Sequence, residues 1–140
     1  MENFNALKTE FHSFSENWLK LGNILKLAVA RNSYNPEDEQ NFLALKNVVA
    51  RQQRLLAQRV PEGKTYDFGS AEIGNMLKSQ LVALNQIVQY TDPDKKRAIQ
   101  DWHKVYMRIL CVSGAFHYLQ LCSEKKPGFF ERIFKKNKKG

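Results

Sequence analysis

Two cysteines, three histidines and one Gly-Lys-Thr triplet are the groups in this 140-residue chain whose types suggest covalent or metal chemistry. Cys111 and Cys122 lie eleven residues apart. On a helix that spacing puts them on one side but roughly 16 Å apart, too far for a disulfide between them. A cysteine nucleophile needs a base within hydrogen-bond reach. Both thiols fall in or beside an apolar helical stripe, where cysteine serves as a small core residue. His12, His103 and His117 contain no pair three or four residues apart, and no Glu-x-x-His pair of the kind that builds di-iron bundles is present. His103, Cys111 and His117 share a helix yet are too widely spaced to chelate one ion. The triplet Gly63-Lys64-Thr65 lacks the glycine that a phosphate-binding loop needs five residues earlier, where Gln58 stands, and it follows a helix rather than a strand. The expectation is a protein without catalytic site, metal or cofactor, with this triplet in a surface loop.

Binding chemistry is more visible, and it concentrates at the C-terminus. Residues 125–140, KKPGFFERIFKKNKKG, hold seven Lys/Arg against one acid, a net +6 of the chain's +8. Residues 1–124 hold fifteen Lys/Arg against thirteen acids, so the body is close to neutral. Pro127-Gly128 breaks any preceding helix. On a helical wheel beyond that break, Phe129, Ile133, Phe130 and Phe134 fall at roughly 0°, 40°, 100° and 140°, and the charged residues fall between roughly 180° and 340°. Phe129, Phe130, Ile133 and Phe134 thus form one face beside Arg132, Lys135 and Lys136. This is the pattern of a basic amphipathic helix that lies on an anionic membrane surface or in a partner's groove. Each Lys or Arg near an anionic leaflet adds about 1 kcal/mol, so reversible recruitment is within reach. The other expectations for this segment are docking onto its own helices and a free tail.

Locally, KKPGFFERIFKK resembles the C-terminal membrane-targeting helix of the MinD cell-division ATPases, with its lysine pair, glycine and bulky apolar residues alternating with basic ones. The resemblance covers about a dozen residues and implies a membrane-surface role for them. Pro127 and Glu131 depart from the pattern, and no nucleotide-binding motif accompanies it.

The alternative expectation is nucleic-acid binding. Asn47, Arg51, Arg54 and Gln58 form an i, i+4, i+7, i+11 stripe, and Arg97, Lys104 and Arg108 form a second one interrupted by Asp101. Arg51, Arg54, Lys104 and Arg108 are the residues that would track phosphates. The competing reading of both stripes is a solvated helix face. A third role, a neutralising partner of the immunity or antitoxin type, rests on no particular residue.

The elements that must position these groups are helices. Phe4, Leu7, Phe11, Phe14, Trp18, Leu21, Leu25 and Ala28 alternate steps of three and four, a heptad seam that predicts one long helix. Asn35-Pro36 followed by Glu37, Asp38 and Glu39 predicts the start of a second. It carries Phe42, Leu45, Val49, Leu55 and Leu56 and stops before Pro61. PEGKTYDFGS reads as a loop. A third helix is expected from Ser70, burying Ile73, Leu77, Leu81, Leu84 and Val88. A fourth follows Thr91-Asp92-Pro93 on Ile99, Trp102, Tyr106, Ile109, Phe116 and Leu119, with Gly114 placed for close helix approach.

The sequence therefore predicts an all-α protein: an antiparallel up-down four-helix bundle over 1–124 and a short basic amphipathic helix over 125–140. No apolar run is long enough to span a bilayer, and the N-terminus has no secretory pattern. Two thiols point to the cytoplasm, with the inner membrane face as the surface for the tail. A non-catalytic interaction module fits these features, with a protein partner or an anionic membrane surface as its target and a homodimer among the expected states.

Overall fold

The computed structural model describes the backbone of residues 4–61 and 63–125 and the side chains of 5–61 and 63–122. Among the described residues the chain is all-helical, with no strand. Its elements are α1 (Phe4–Arg31), α2 (Pro36–Ala57), a 3-10 turn (Lys64–Tyr66), α3 (Ser70–Ser79), α4 (Leu84–Ile87) and α5 (Asp92–Lys125).

Local chemistry sets the helix ends. Asn32 closes α1 in the left-handed region, at φ 53°. There the Asn32 N–H donates to the Val29 carbonyl and the Ser33 N–H to the Ala28 carbonyl, both at 3.2 Å. This is the Schellman arrangement, with asparagine in the place usually taken by glycine. Asn35 caps α2 as expected, its Oδ1 accepting from the Asp38 N–H at 2.7 Å, with Pro36 in the first turn.

The direction of each helix follows from its cross-contacts. Lys8 bonds Gln120, Trp18 bonds Trp102, and Lys95 donates to Asn32. Hence α5 runs antiparallel to α1. Arg59 pairs with Glu10, and Gln52 meets Asn17 and Ser13, so α2 is also antiparallel to α1. The α3–α4 arm runs antiparallel to α2, through Ser70–Gln53 at one end and Leu84–Glu39 at the other. It is antiparallel to α5 as well, through Glu72–Arg108 and Gln80–Asp101.

α1 behaves as its seam predicts. Leu7, Phe11, Phe14, Trp18, Leu21, Leu25 and Ala28 are all buried. Phe11 sits edge-on to Phe116 at 5.2 Å and to Phe68 at 5.4 Å between ring centroids, the favoured geometry for aromatic pairs. Further along, the buried indoles of Trp18 and Trp102 lie stacked, 6.4 Å apart and 13° from parallel.

Four expectations are corrected. The third arm is not one helix: it breaks at Gln80–Ala83 and resumes as the short α4. Side chains from elsewhere take up the polar groups freed by the break. Lys46 Nζ donates to the Val82 carbonyl at 2.5 Å, Glu39 Oε2 accepts from the Leu84 N–H at 2.8 Å, and Tyr90 Oη donates to the Gln80 carbonyl at 3.0 Å. Leu81 within the break and Leu84 and Ile87 beyond it are buried, while Val88 is half-buried. Second, the 61–69 segment is only partly a surface loop, because it inserts Phe68 into the core and stacks Tyr66 on Phe116. Third, the close helix approach occurs at Gly22. A Cβ there would lie 2.0 Å from the Trp102 ring, whereas one on Gly114 meets nothing within 4 Å. Leu55, expected in the α2 stripe, is exposed, and Gln53 is buried in contact with Ser70.

Gly22 and Gly114, both helical, should respond to the same substitution with opposite signs. Gly22→Ala overpacks the α1–α5 contact and should cost roughly 1–3 kcal/mol or more. Gly114→Ala, in open space, should stabilise by about 0.5–1 kcal/mol. Urea unfolding of both variants at low protein concentration checks this.

Candidate functional site

The structure keeps apart the groups that could do covalent or metal chemistry. His12 is exposed on α1 and pairs with Glu16 at 3.1 Å. His117 lies on the exposed side of α5, 3.5 Å from Lys8 Nζ. Cys111 is exposed and Cys122 half-buried. Tyr118, one turn before Cys122, shares a hydrogen bond with that thiol, which pushes its phenol above the usual range. Among the described residues no three His, Cys, Asp or Glu side chains converge as a metal site.

The clefts are shallow and open. One of about 420 Å³ between α3 and α5 is lined by Glu72, Gln80, Asp101 and Lys104. Three of its polar groups are engaged: Gln80 donates to Asp101 at 3.0 Å, and Glu72 accepts from Arg108, outside the lining, at 2.9 Å. A second, of about 370 Å³, runs beside Val60, Pro61, Tyr66 and Phe68. Burial against this wall pushes the Tyr66 phenol above its usual range. Burial lowers the Lys46 ammonium at the α3–α4 break, with the Glu39 carboxylate opposing the shift.

The basic residues fall in two places. Arg51 and Arg54 are exposed on the face of α2 opposite its buried residues Phe42, Val49, Gln53 and Leu56. Lys104 and Arg108 are exposed on α5, and Arg108 is tied to Glu72 of α3. Because α3 bonds to both α2 and α5, it lies between the two pairs. Phe129, Phe130, Arg132, Ile133, Phe134, Lys135 and Lys136 lie outside the described residues.

The sequence reading missed the clearest surface feature, the outer face of α5. The inner face of that helix buries Ala98, Trp102, Val105, Ile109, Val112, Phe116 and Leu119. On the opposite face Met107, Leu110, Tyr118 and Leu121 are 47%, 41%, 64% and 44% exposed. Cys111 and Gly114 lie among them, both exposed. Cys111, expected in the core, therefore belongs to a second apolar stripe that no described helix covers. The signal was present in the steps of four and three linking Met107, Cys111, Gly114, Tyr118 and Leu121. It was masked by the buried stripe on the same helix.

Among the described residues no helix is long and apolar enough to cross a membrane. No protein-family model, curated protein or solved structure matches the chain.

The Tyr66 phenol gives the fold a pH signature. Its raised pKa keeps it protonated in the folded chain where the unfolded chain, near 10.0, has begun to ionise. Its stability contribution is complete below pH 10 and is lost as pH rises from there through the folded value. Tyr66→Phe keeps the stacking on Phe116. It should show a smaller loss of stability between pH 9.5 and 11 than the parent chain, in parallel denaturant titrations.

Proposed function

We propose that this protein is a non-catalytic helical interaction module, held at an anionic membrane surface by its basic C-terminal segment. The observation that carries the reading is the end of α5. The helix runs to Lys125, its outer face from Met107 to Leu121 is apolar and covered by no described helix, and it passes directly into a segment that holds +6 of the net charge of +8. The antiparallel pairings support treating the body as an up-down four-helix bundle whose third arm is split into α3 and α4. Such a body is a rigid carrier, with its longest helix aimed at the binding segment.

In this reading Phe129, Phe130, Ile133 and Phe134 enter the headgroup boundary, and Arg132, Lys135 and Lys136 face the lipid charge. A fully buried large apolar side chain is worth about 1.5–3 kcal/mol, and less at an interface. Added to about 1 kcal/mol per cation near an anionic surface, this gives reversible, salt-sensitive attachment. It does not require a membrane-spanning helix.

Co-sedimentation with phosphatidylserine-containing vesicles tests the proposal. The full chain should pellet at low salt and less at high salt, and a chain ending at Glu124 should stay in the supernatant. Equal pelleting of the two chains overturns the reading. Retention of duplex DNA or RNA by the shortened chain, abolished by Arg51→Ala with Arg54→Ala, would favour nucleic acid as the target instead.

A further inference from the structure

Nothing in residues 79–88 themselves calls for the break between α3 and α4. That stretch, SQLVALNQIV, holds no proline and no glycine, and Gln, Leu and Ala are good helix formers. On one continuous helical wheel with Ile73 at its origin, the buried Met76, Leu77, Leu81, Leu84 and Ile87 all fall within about 80° of it. An unbroken helix over 70–88 would therefore turn the same residues inward.

The interruption is made by side chains from other elements. In an unbroken helix the Leu84 N–H would donate to the Gln80 carbonyl, four residues back. Here each end of that bond is taken by a different group. Glu39 Oε2 accepts from the Leu84 N–H at 2.8 Å, and Tyr90 Oη donates to the Gln80 carbonyl at 3.0 Å. Between them Lys46 Nζ holds the Val82 carbonyl at 2.5 Å. We infer that the α3–α4 arm is a latched two-state element. Glu39, Lys46 and Tyr90 hold it broken, and release of the latch lets Gln80 and Leu84 bond each other, fusing α3 and α4 into one helix over 70–88.

Both states satisfy the polar groups concerned, which is what a bistable element requires. In the latched state side chains supply the partners. In the fused state the backbone supplies them, and the N–H groups of Val82 and Ala83 gain the carbonyls of Lys78 and Ser79. The four residues of α4 form a single turn, too short to stand as a helix alone, and fusion makes them the end of a helix of about five turns. Glu39 and Lys46 keep each other as charge partners on release, since each already lies in the other's field.

The change also has a direction. Ala83 is extended, at φ −161° and ψ 151°, and an extended residue spans about 3.3 Å against about 1.5 Å in a helix. Fusion therefore shortens the arm. The Trp18–Trp102 bonds hold α5 in register on α1, so the 88–91 link must take up the difference. Tyr90 lies in that link, and straightening it withdraws the hydroxyl from Gln80. Shortening of the arm and loss of the Tyr90 bond are thus one event.

A double-mutant cycle on the full chain, read by urea unfolding, tests the inference. Glu39→Ala leaves the Leu84 N–H unpaired, and Tyr90→Phe leaves the Gln80 carbonyl unpaired. Each should lower the folding constant roughly ten-fold. Together they free both ends of one helical bond, so the double variant should lose at least about five-fold less than the product of the two. Its Cα chemical shifts at Leu81, Val82 and Ala83 should move to helical values, while those of the parent stay outside them. Losses that multiply overturn the inference, as does a double variant that does not fold. So do shifts at 81–83 that stay non-helical in the double variant, which would make the break a fixed feature of the packing. The cycle involves no residue of the 125–140 segment, so its failure leaves the membrane reading standing.

Discussion

Trp18 and Trp102 each donate an indole N–H to the other's backbone carbonyl, at 3.3 and 3.0 Å, across the contact between α1 and α5. Both residues are buried, so neither N–H has water as an alternative, and leaving one unpaired would cost about 1–3 kcal/mol. The exchange is reciprocal, and a slide of one residue between the helices would break both bonds. It therefore sets the register of the two longest elements. It also explains Gly22, which lies one turn after Trp18 on the same face of α1. In an α-helix the Trp18 carbonyl accepts the Gly22 N–H, so a second donor reaches that oxygen only if it lies almost on the helix backbone. The Trp102 ring does so, over the space a Cβ would fill. Lys26, one turn further along, covers the ring at 4.4 Å from its centroid.

With that register set, the aromatic end of the core follows. Phe11 is brought against Phe116, and Phe68 from the 61–69 segment closes over Phe11 and Phe14. The opposite flank is held by polar groups instead. Glu39, Lys46, Tyr90 and Asp101 come from three parts of the chain and converge on the break between α3 and α4. The half-buried Lys46 loses hydration, which is why its ammonium is lowered, and it recovers part of that loss on the Val82 carbonyl. A helix interruption is tolerable here because its loose donors and acceptors are met one by one.

How legible this was in the sequence depended on how many constraints acted on each element. α1 has a single apolar face and an unbroken heptad seam, and all seven of its expected core positions from Leu7 to Ala28 are buried. The start of α2 was readable because Asn35, Pro36 and three acids all act locally. The α3–α4 break was not, because its determinants lie up to 45 residues away, and Leu81 and Leu84 satisfy a helical period whether or not the helix is continuous. Phe68 in a loop rich in Gly, Asp and Lys was the available sign that this segment enters the core. Gly22 gave no sequence signal against Gly114, since which glycine is crowded is decided by the residue opposite. The separation of Arg51 and Arg54 from Lys104 and Arg108 was likewise invisible without the placement of α3.

α5 also has to be understood from both sides. A helix with one apolar face is satisfied once that face is buried, and selection for solubility then favours charge on the other. α5 follows that rule in its first half, where Lys96, Gln100, His103 and Lys104 are exposed. It departs from it between Met107 and Leu121. Leu27, Leu43 and Leu55 are exposed elsewhere, but they lie on α1 and α2 and form no run of this kind; scattered apolar residues are ordinary on a protein surface. The stripe on α5 differs in being continuous along about four turns and free of charge on its midline. The inner face cannot exchange roles with it, because the Trp18–Trp102 bonds lock that face against α1. Among the described residues no helix covers the outer face, and the lock on the inner face keeps it turned outward. Its change of character midway along one helix separates a polar, charged outer half from an apolar one.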